Sequence, residues 1–262
     1  MNEKNNNREL TVVVLSCDKY KDLWPVFTHY FKAYWGNCPY RVCLLTNEES
    51  LQEPGIASLQ TGKDVGWSDS LISALNQIDS KFVLFLFDDI FPCSFLRNDI
   101  IVDAIRFLER VGGTCVRLRS TRFPLIPVPN EPAMGRLSTR LPYRNALPIS
   151  IWDRLKLLTY LKPGESAWDF ETKANFRTEC DEKIYAIRQD HSNWIHAVVK
   201  GRWFRGAYHK VVTEIPEYTA SRPVMSVWEQ FLINAYTAAR RLFIKTFGVR
   251  AFKAFHKIRW SV

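Results

Sequence analysis

Two carboxylates stand side by side at the end of an unbroken apolar run. Phe82-Val83-Leu84-Phe85-Leu86-Phe87 leads directly into Asp88-Asp89, with Ile90-Phe91-Pro92 next. A run with no polar alternation describes a strand buried on both faces. Neighbouring negative charges at the tip of such a strand repel each other and resist burial. A divalent cation relieves both costs, and hard carboxylate oxygens suit Mg²⁺ or Mn²⁺. The carboxyl end of a strand is also where α/β sheets bind ligands, so a cation there would bridge naturally to a diphosphate. The alternative is a solvated turn in which one acid caps the next element.

A second group of acids lies in Glu165-Ser166-Ala167-Trp168-Asp169-Phe170-Glu171. Ser166 and Asp169 have the spacing of a capping box, which reserves Asp169 for the helix start. Glu165, Trp168 and Glu171 are spaced by three and share a face if the helix begins early. A tryptophan beside a carboxylate suits a sugar: the ring packs on the apolar face while the acid reaches a hydroxyl. Either glutamate also reads as a surface acid favouring a helix N-terminus. His191, His196 and Lys200 come later in DHSNWIHAVVKGRWF, where a lone histidine is as readily structural.

The elements that must position these groups alternate. Thr11–Ser16 reads as a buried strand, Cys17–Tyr20 as a polar loop, and Leu23–Tyr34 as a helix capped by Asp22 with Pro25 in its first turn. Arg41–Thr46 is a second strand closed by Asn47, and a loop with Pro54, Gly55, Gly62 and Gly66 comes after it. Ser68 then caps a helix to about Ile78, and the acidic strand is next. This order predicts a mostly parallel central sheet flanked by helices, an α/β fold. Further on, a helix is expected over 99–110, capped by Asn98 and stopped by Gly112-Gly113, and a strand over 115–119. The six prolines between Pro124 and Pro148 mark an irregular segment. A helix over 151–161, another from Ser166 to about Arg177 and a strand over 184–189 complete the body.

Composition narrows the function classes. The chain has 262 residues, enough for one large domain or a domain with an appendage. Nine tryptophans exceed what a core of this size needs and favour stacking or interface roles. The six cysteines are scattered without a CxxC or zinc spacing, so they read as reduced and structural. No apolar stretch approaches the ~20 residues of a membrane-spanning helix, and the polar N-terminus is unlike a signal peptide, so a cytoplasmic protein is expected. The net charge of +9 is concentrated at one end. From Gln230 to Val262 there is no Asp or Glu, but there are Arg240, Arg241, Lys245, Arg250, Lys253, Lys257 and Arg259. The nearly neutral remainder excludes a general nucleic-acid-binding surface. Phe243, Ile244, Phe247, Ala251, Phe255 and Ile258 share one helical face, with Lys245, Arg250, Lys253 and Lys257 on the other side. An acid-free, aromatic and cationic helix is suited to an anionic membrane surface; a helix docked on the body is the alternative. These contrasts divide the chain into a body, 1–220, and a membrane-association segment, 221–262.

VVVLSCDKY, WSDSLISAL, VLFLFDD and GESAWDFE together resemble the GT-A-fold glycosyltransferases, in particular bacterial enzymes of lipopolysaccharide O-antigen and capsule synthesis. The resemblance spans roughly residues 10–210. It implies a nucleotide-sugar donor, UDP-linked by expectation, and a metal on the donor diphosphate held by a DxD-type motif. Here that motif is shortened to Phe87-Asp88-Asp89. It makes Asp89 the first metal ligand, Asp88 a second ligand or ribose contact, and His196 a late ligand. Ser16, Asp18 and Tyr20 would line base and ribose, Trp67 and Ser68 would border the same pocket, and Lys200 would contact the diphosphate. Trp67 reads equally as core packing. On the acceptor side Trp168 would be the sugar platform, with Glu171 ahead of Glu165 as base. The implied acceptor is a lipid-linked or oligosaccharide glycan at the inner face of the plasma membrane. Two other readings remain: a metal-dependent sugar nucleotidyltransferase, which usually carries a glycine-rich phosphate loop that SCDKYKDLW lacks, and a non-catalytic sugar-binding protein recruited to membranes.

Overall fold

A computed structural model describes residues 8–121, 123–139, 141, 143–239, 242 and 246. By packing, the chain divides into two units, residues 1–195 and 196–262. The 220/221 boundary expected from the sequence rests on charge, a different property. The face expected from Phe243 to Ile258 lies outside the described residues.

The first unit is a mixed α/β layer structure. Strand β1 (Leu10–Leu15) is followed by a 3₁₀ segment, Asp18–Leu23, and helix α1 (Trp24–Trp35). Then come β2 (Arg41–Thr46), β3 (Ile56–Gln60), α2 (Trp67–Asn76), β4 (Phe82–Phe87), β5 (Ile90–Pro92) and α3 (Asn98–Val111). Strands β6 (Cys115–Arg117), β7 (Ile126–Pro127), β8 (Met134–Arg136) and β9 (Ser150–Asp153) precede helices α4 (Arg154–Tyr160) and α5 (Ala167–Arg177). Strands β10 (Ile184–Ile187) and β11 (Trp194–His196) come last, β11 pairing with β5. The main sheet runs β3-β2-β1-β4-β9-β6-β10-β8-β7. From β3 to β4 neighbouring strands are parallel, while β9 is antiparallel to both β4 and β6.

This topology has a reversal. The chain leaves β1 toward β2 and β3, then returns through α2 to place β4 on the other side of β1. The carboxyl ends of β1 and β4 therefore flank a switch point, where open α/β sheets hold ligands. Apart from Thr11, whose hydroxyl accepts from Ser80 at 2.9 Å, both strands are apolar: Val12, Val13, Val14, Val83, Leu84 and Phe85 are fully buried. Helix α1 covers the sheet with Val26, Phe27, Tyr30, Phe31 and Trp35, and the ring of Phe31 contacts Phe27 and Trp35.

Several local expectations are corrected. The helix after the first loop begins at Trp24 behind the 3₁₀ turn, with Leu23 rather than Asp22 at its cap and Pro25 in its first turn. Strand β3 stands where the sequence suggests only loop, because it is a half-exposed sheet edge between Gly55 and Gly62. Asn98 is the first residue of α3, and its Oδ1 accepts from Trp35 Nε1 at 2.7 Å instead of capping. Gly112 does end α3, in the left-handed conformation (φ 58°) that glycine adopts without strain. The apolar run Ile151-Trp152 reads as the start of a helix but is the middle of β9. Asp153 then caps α4, accepting from Lys156 N at 3.0 Å.

The second unit contains a hairpin, β12 (Val198–Val199) and β13 (Arg202–Trp203), helix α6 (Arg205–Glu214) and a helix over 227–239. Among the described residues no helix is long and apolar enough to cross a membrane.

Candidate functional site

Sheet register builds the site. Leu15 pairs with Phe87, so the next residue of each strand, Ser16 and Asp88, meet at the rim. The Ser16 hydroxyl donates to Asp88 Oδ2 and accepts from the indole Nε1 of Trp24 at 2.7 Å. Asp88 N donates to the Leu15 carbonyl at 3.3 Å. Asp88 is consequently buried, 4% exposed. Phe87 pairs with Ile90 across the antiparallel β4–β5 hairpin, so Asp88-Asp89 is its two-residue turn. Asp89 is half-buried.

Asp18 serves the same rim differently. Its Oδ1 accepts from Asn47 N (2.8 Å), and its Oδ2 from Glu48 N (2.9 Å) and Glu49 N (3.1 Å). Burial works against this carboxylate, but those backbone N–H groups outweigh it and hold it below its ordinary range. Asp18 thus clamps the β1 exit loop to the β2 exit loop, a positioning role at the rim where the resemblance implies a ribose contact. Tyr20 lies half-buried in the 3₁₀ segment. Asn47, which the sequence marks only as a strand end, is buried; its Oδ1 accepts from Asp18 N at 3.3 Å and its Nδ2 has no hydrogen-bond partner among the described residues.

A crossover helix between parallel strands runs opposite to them, which brings the N-terminus of α2 to this rim as well. Its cap is Gly66 (φ 124°), not Ser68. Ser68 is buried instead, with its hydroxyl accepting from Glu165 N at 2.9 Å and its N–H donating to the Glu165 carbonyl at 3.2 Å. That N–H is therefore not offered to a phosphate. Asp69 Oδ2 accepts from Gly164 N at 2.8 Å, and Trp67 packs on Phe170 with ring centroids 5.7 Å apart. These bonds dock α5 beside α2, and Trp67 takes the core-packing alternative.

The capping box at Ser166 and Asp169 is present, and Asp169 titrates at about 2, held down first by Lys173 and then by Ser166. Glu165 is committed to Arg177, whose Nη1 and Nη2 donate to its two oxygens at 2.9 and 2.6 Å. Glu165 is thus tied to the far end of α5 by an ion pair rather than standing open as the sequence suggests. Glu171 is half-buried on α5, and its charge favours that of Arg117 at the carboxyl end of β6. Burial disfavours the Arg117 charge, with Cys115 and Glu171 opposing, and its Nε has no partner among the described residues. Arg117 escapes a reading of the sequence because nothing marks one arginine in VRLRSTR. Trp168 is 69% exposed on α5.

His196 and Lys200 fall in the second unit. Lys200 and Gly201 (φ 51° and 73°) form the two-residue turn of the β12–β13 hairpin, which requires two left-handed residues. An apolar cavity against α3, lined by Leu84, Leu86, Ile101, Ile149 and His191 among others, contains none of the rim acids and is not the candidate site.

A cation would find two carboxylates here. The described residues hold no cluster of three or more His, Cys, Asp or Glu suited to a metal. A cation bound mainly by a diphosphate needs only one or two protein carboxylates, however, and Asp89 with Asp88 meets that requirement.

Fold and rim together define a mixed α/β protein with two adjacent acids at the switch point of its sheet. No family model matches the chain, and no curated protein matches it. Solved structures similar to it include S. aureus TarS 1-349 in complex with UDP, with a TM-score of 0.49 and 13% identity, covering 81% of this chain and 67% of that one. The same protein with UDP-GlcNAc gives a TM-score of 0.42 at 13% identity, covering 81% and 68%. UDP-glucose pyrophosphorylase complexed with UDP-glucose gives 0.45 at 8% identity, covering 71% and 92%.

Proposed function

We propose that this chain is a nucleotide-sugar glycosyltransferase whose donor diphosphate sits between the carboxyl ends of β1 and β4. The observation that carries the reading is the β4–β5 turn: one acid tucked under and held by Ser16, the next left at the rim of a switch point. A rim built this way offers a ligand a positioned carboxylate without a run of unpaired charge.

In the proposed reaction an acceptor hydroxyl attacks the anomeric carbon as the bond to the diphosphate oxygen breaks. Glu171 takes the hydroxyl proton, Trp168 carries the acceptor ring, and the leaving nucleoside diphosphate keeps the electron pair. A Mn²⁺ or Mg²⁺ ion held by Asp89 and Asp88 would neutralise charge on the departing diphosphate. A UDP-sugar donor, a lipid-linked glycan acceptor, cell-surface polysaccharide synthesis and a site at the inner face of the plasma membrane belong to the same proposal.

The test is a thermal-shift series with UDP, GDP, CDP and ADP, each with and without Mn²⁺. A rise with at least one diphosphate, lost in Asp89→Asn, is expected. No rise with any of them refutes the reading. Nucleotide binding accompanied by pyrophosphate exchange, without sugar transfer, would replace it with a nucleotidyltransferase.

A further inference from the structure

The helix over 227–239 turns its polar side toward its own unit and its aromatic side outward. Glu229 Oε2 accepts from Ser226 N at 2.7 Å and lies 3.4 Å from Arg202 Nη2. Gln230 Oε1 accepts from Arg205 N at 2.9 Å. Ile233 and Thr237, on the same side, are half-buried. At ~100° per residue, Trp228, Phe231 and Leu232 fall on the other side, with Tyr236 at its edge beside Glu229. They are 66, 57, 48 and 51% exposed. The rings of Trp228 and Phe231 stack at 5.5 Å and 21°, making one continuous apolar surface. A helix that served only to cover its own unit would place these groups inward.

Charge indicates what covers this face. No Asp or Glu occurs from Gln230 onward, while seven Lys and Arg do. A second copy of the chain would bring two acid-free cationic segments together, which like-charge repulsion opposes. An anionic lipid surface satisfies both features: aromatic and aliphatic groups enter the headgroup–acyl boundary while the basic residues meet lipid charge. We propose that the outward face formed by Trp228, Phe231 and Leu232, with Tyr236 at its edge, docks on an anionic bilayer. The proposal does not rest on the donor-site reading, because its test measures binding alone.

The full chain is sedimented with vesicles of phosphatidylcholine alone or mixed with phosphatidylglycerol. Binding to the mixed vesicles that weakens with added salt is expected, with little binding to the neutral ones. The Trp228→Ser/Phe231→Ser double variant lowers the partition coefficient by about tenfold or more. Its circular dichroism and unfolding midpoint stay at the parent values, because both residues are exposed. Phe95→Ser, at a 74% exposed phenylalanine of the first unit, binds vesicles like the parent. Absence of binding to the mixed vesicles overturns the proposal, as does undiminished binding by the double variant. A solution dimer that the same substitutions dissociate, with no vesicle binding, overturns it in favour of self-association.

Discussion

Replacing Ser16 with alanine removes a hydroxyl that serves two partners at the switch point. It donates to Asp88 Oδ2 and accepts from Trp24 Nε1 at 2.7 Å. Trp24 is 5% and Asp88 4% exposed, so water is poorly placed to substitute. A hydrogen bond to a charged group contributes about 1.5–3 kcal/mol, and an orphaned buried donor costs about 1–3 kcal/mol. Asp88 has further partners, which favours the lower end of both ranges. The expected loss is ~2–4 kcal/mol, and at ~2–4 °C per kcal/mol for a chain of this size Tm falls by ~4–16 °C. Trp24→Phe leaves the Ser16–Asp88 bond but removes part of a buried ring together with its N–H, so its cost adds a cavity to the lost hydrogen bond. Urea unfolding of the parent and the Ser16→Ala variant measures the loss. A Ser16→Ala loss below about 0.5 kcal/mol would refute the linked arrangement.

Asp18→Asn tests the loop clamp through pH. A carboxylate depressed in the folded state stabilises above its unfolded value near pH 4, and that stability is lost as pH falls through the lower folded value. The stability gap between parent and variant therefore narrows on acidification from about pH 6 to about pH 3; a constant gap contradicts the clamp. The Glu165–Arg177 pair, with side chains 10% and 17% exposed, makes Arg177→Ala costly at about 3 kcal/mol. Adding Glu165→Ala recovers part of that loss, so denaturation of the four-member cycle gives a coupling of about 1–3 kcal/mol. Glu171→Gln is expected to lower turnover by about 10²-fold or more, which steady-state kinetics checks on protein that a melt shows to be folded.

Legibility tracks how local each signal is. The apolar strands, the left-handed stop at Gly112 and the capping box at Ser166 depend on a few consecutive residues, and the sequence displays them directly. Strand β9 depends on partners far away. Its four residues gain their identity by filling the gap between β4 and β6, and alone they look like the first turn of the adjoining helix. The site divides along the same line. That acids stand at a strand end is visible in Phe87-Asp88-Asp89. That Ser16 binds one of them is a consequence of the Leu15–Phe87 register, which no local pattern states. Likewise Glu165 looks available in sequence, where nothing shows that Arg177, at the far end of α5, reaches back to hold both its oxygens.

The two adjacent acids are equals in sequence and opposites in the fold. The β1–β4 register sets Asp88 beside Ser16, and Asp89 is the less buried of the two. Asp88, beside Ser16, becomes part of the wall; Asp89 stays half-buried at the rim, where a ligand can reach it. Their amide variants should therefore fail in different ways. Asp88→Asn weakens a charge-assisted bond in a buried place and costs about 1–3 kcal/mol of stability. Asp89→Asn, at the less buried of the two acids, costs less stability than Asp88→Asn yet lowers transfer by about 10²-fold, because it removes charge where the diphosphate is held. Melting curves and turnover measured on the same two preparations separate the roles. Equal losses of stability, or an Asp89→Asn variant as active as the parent, would mean that the turn is only a turn.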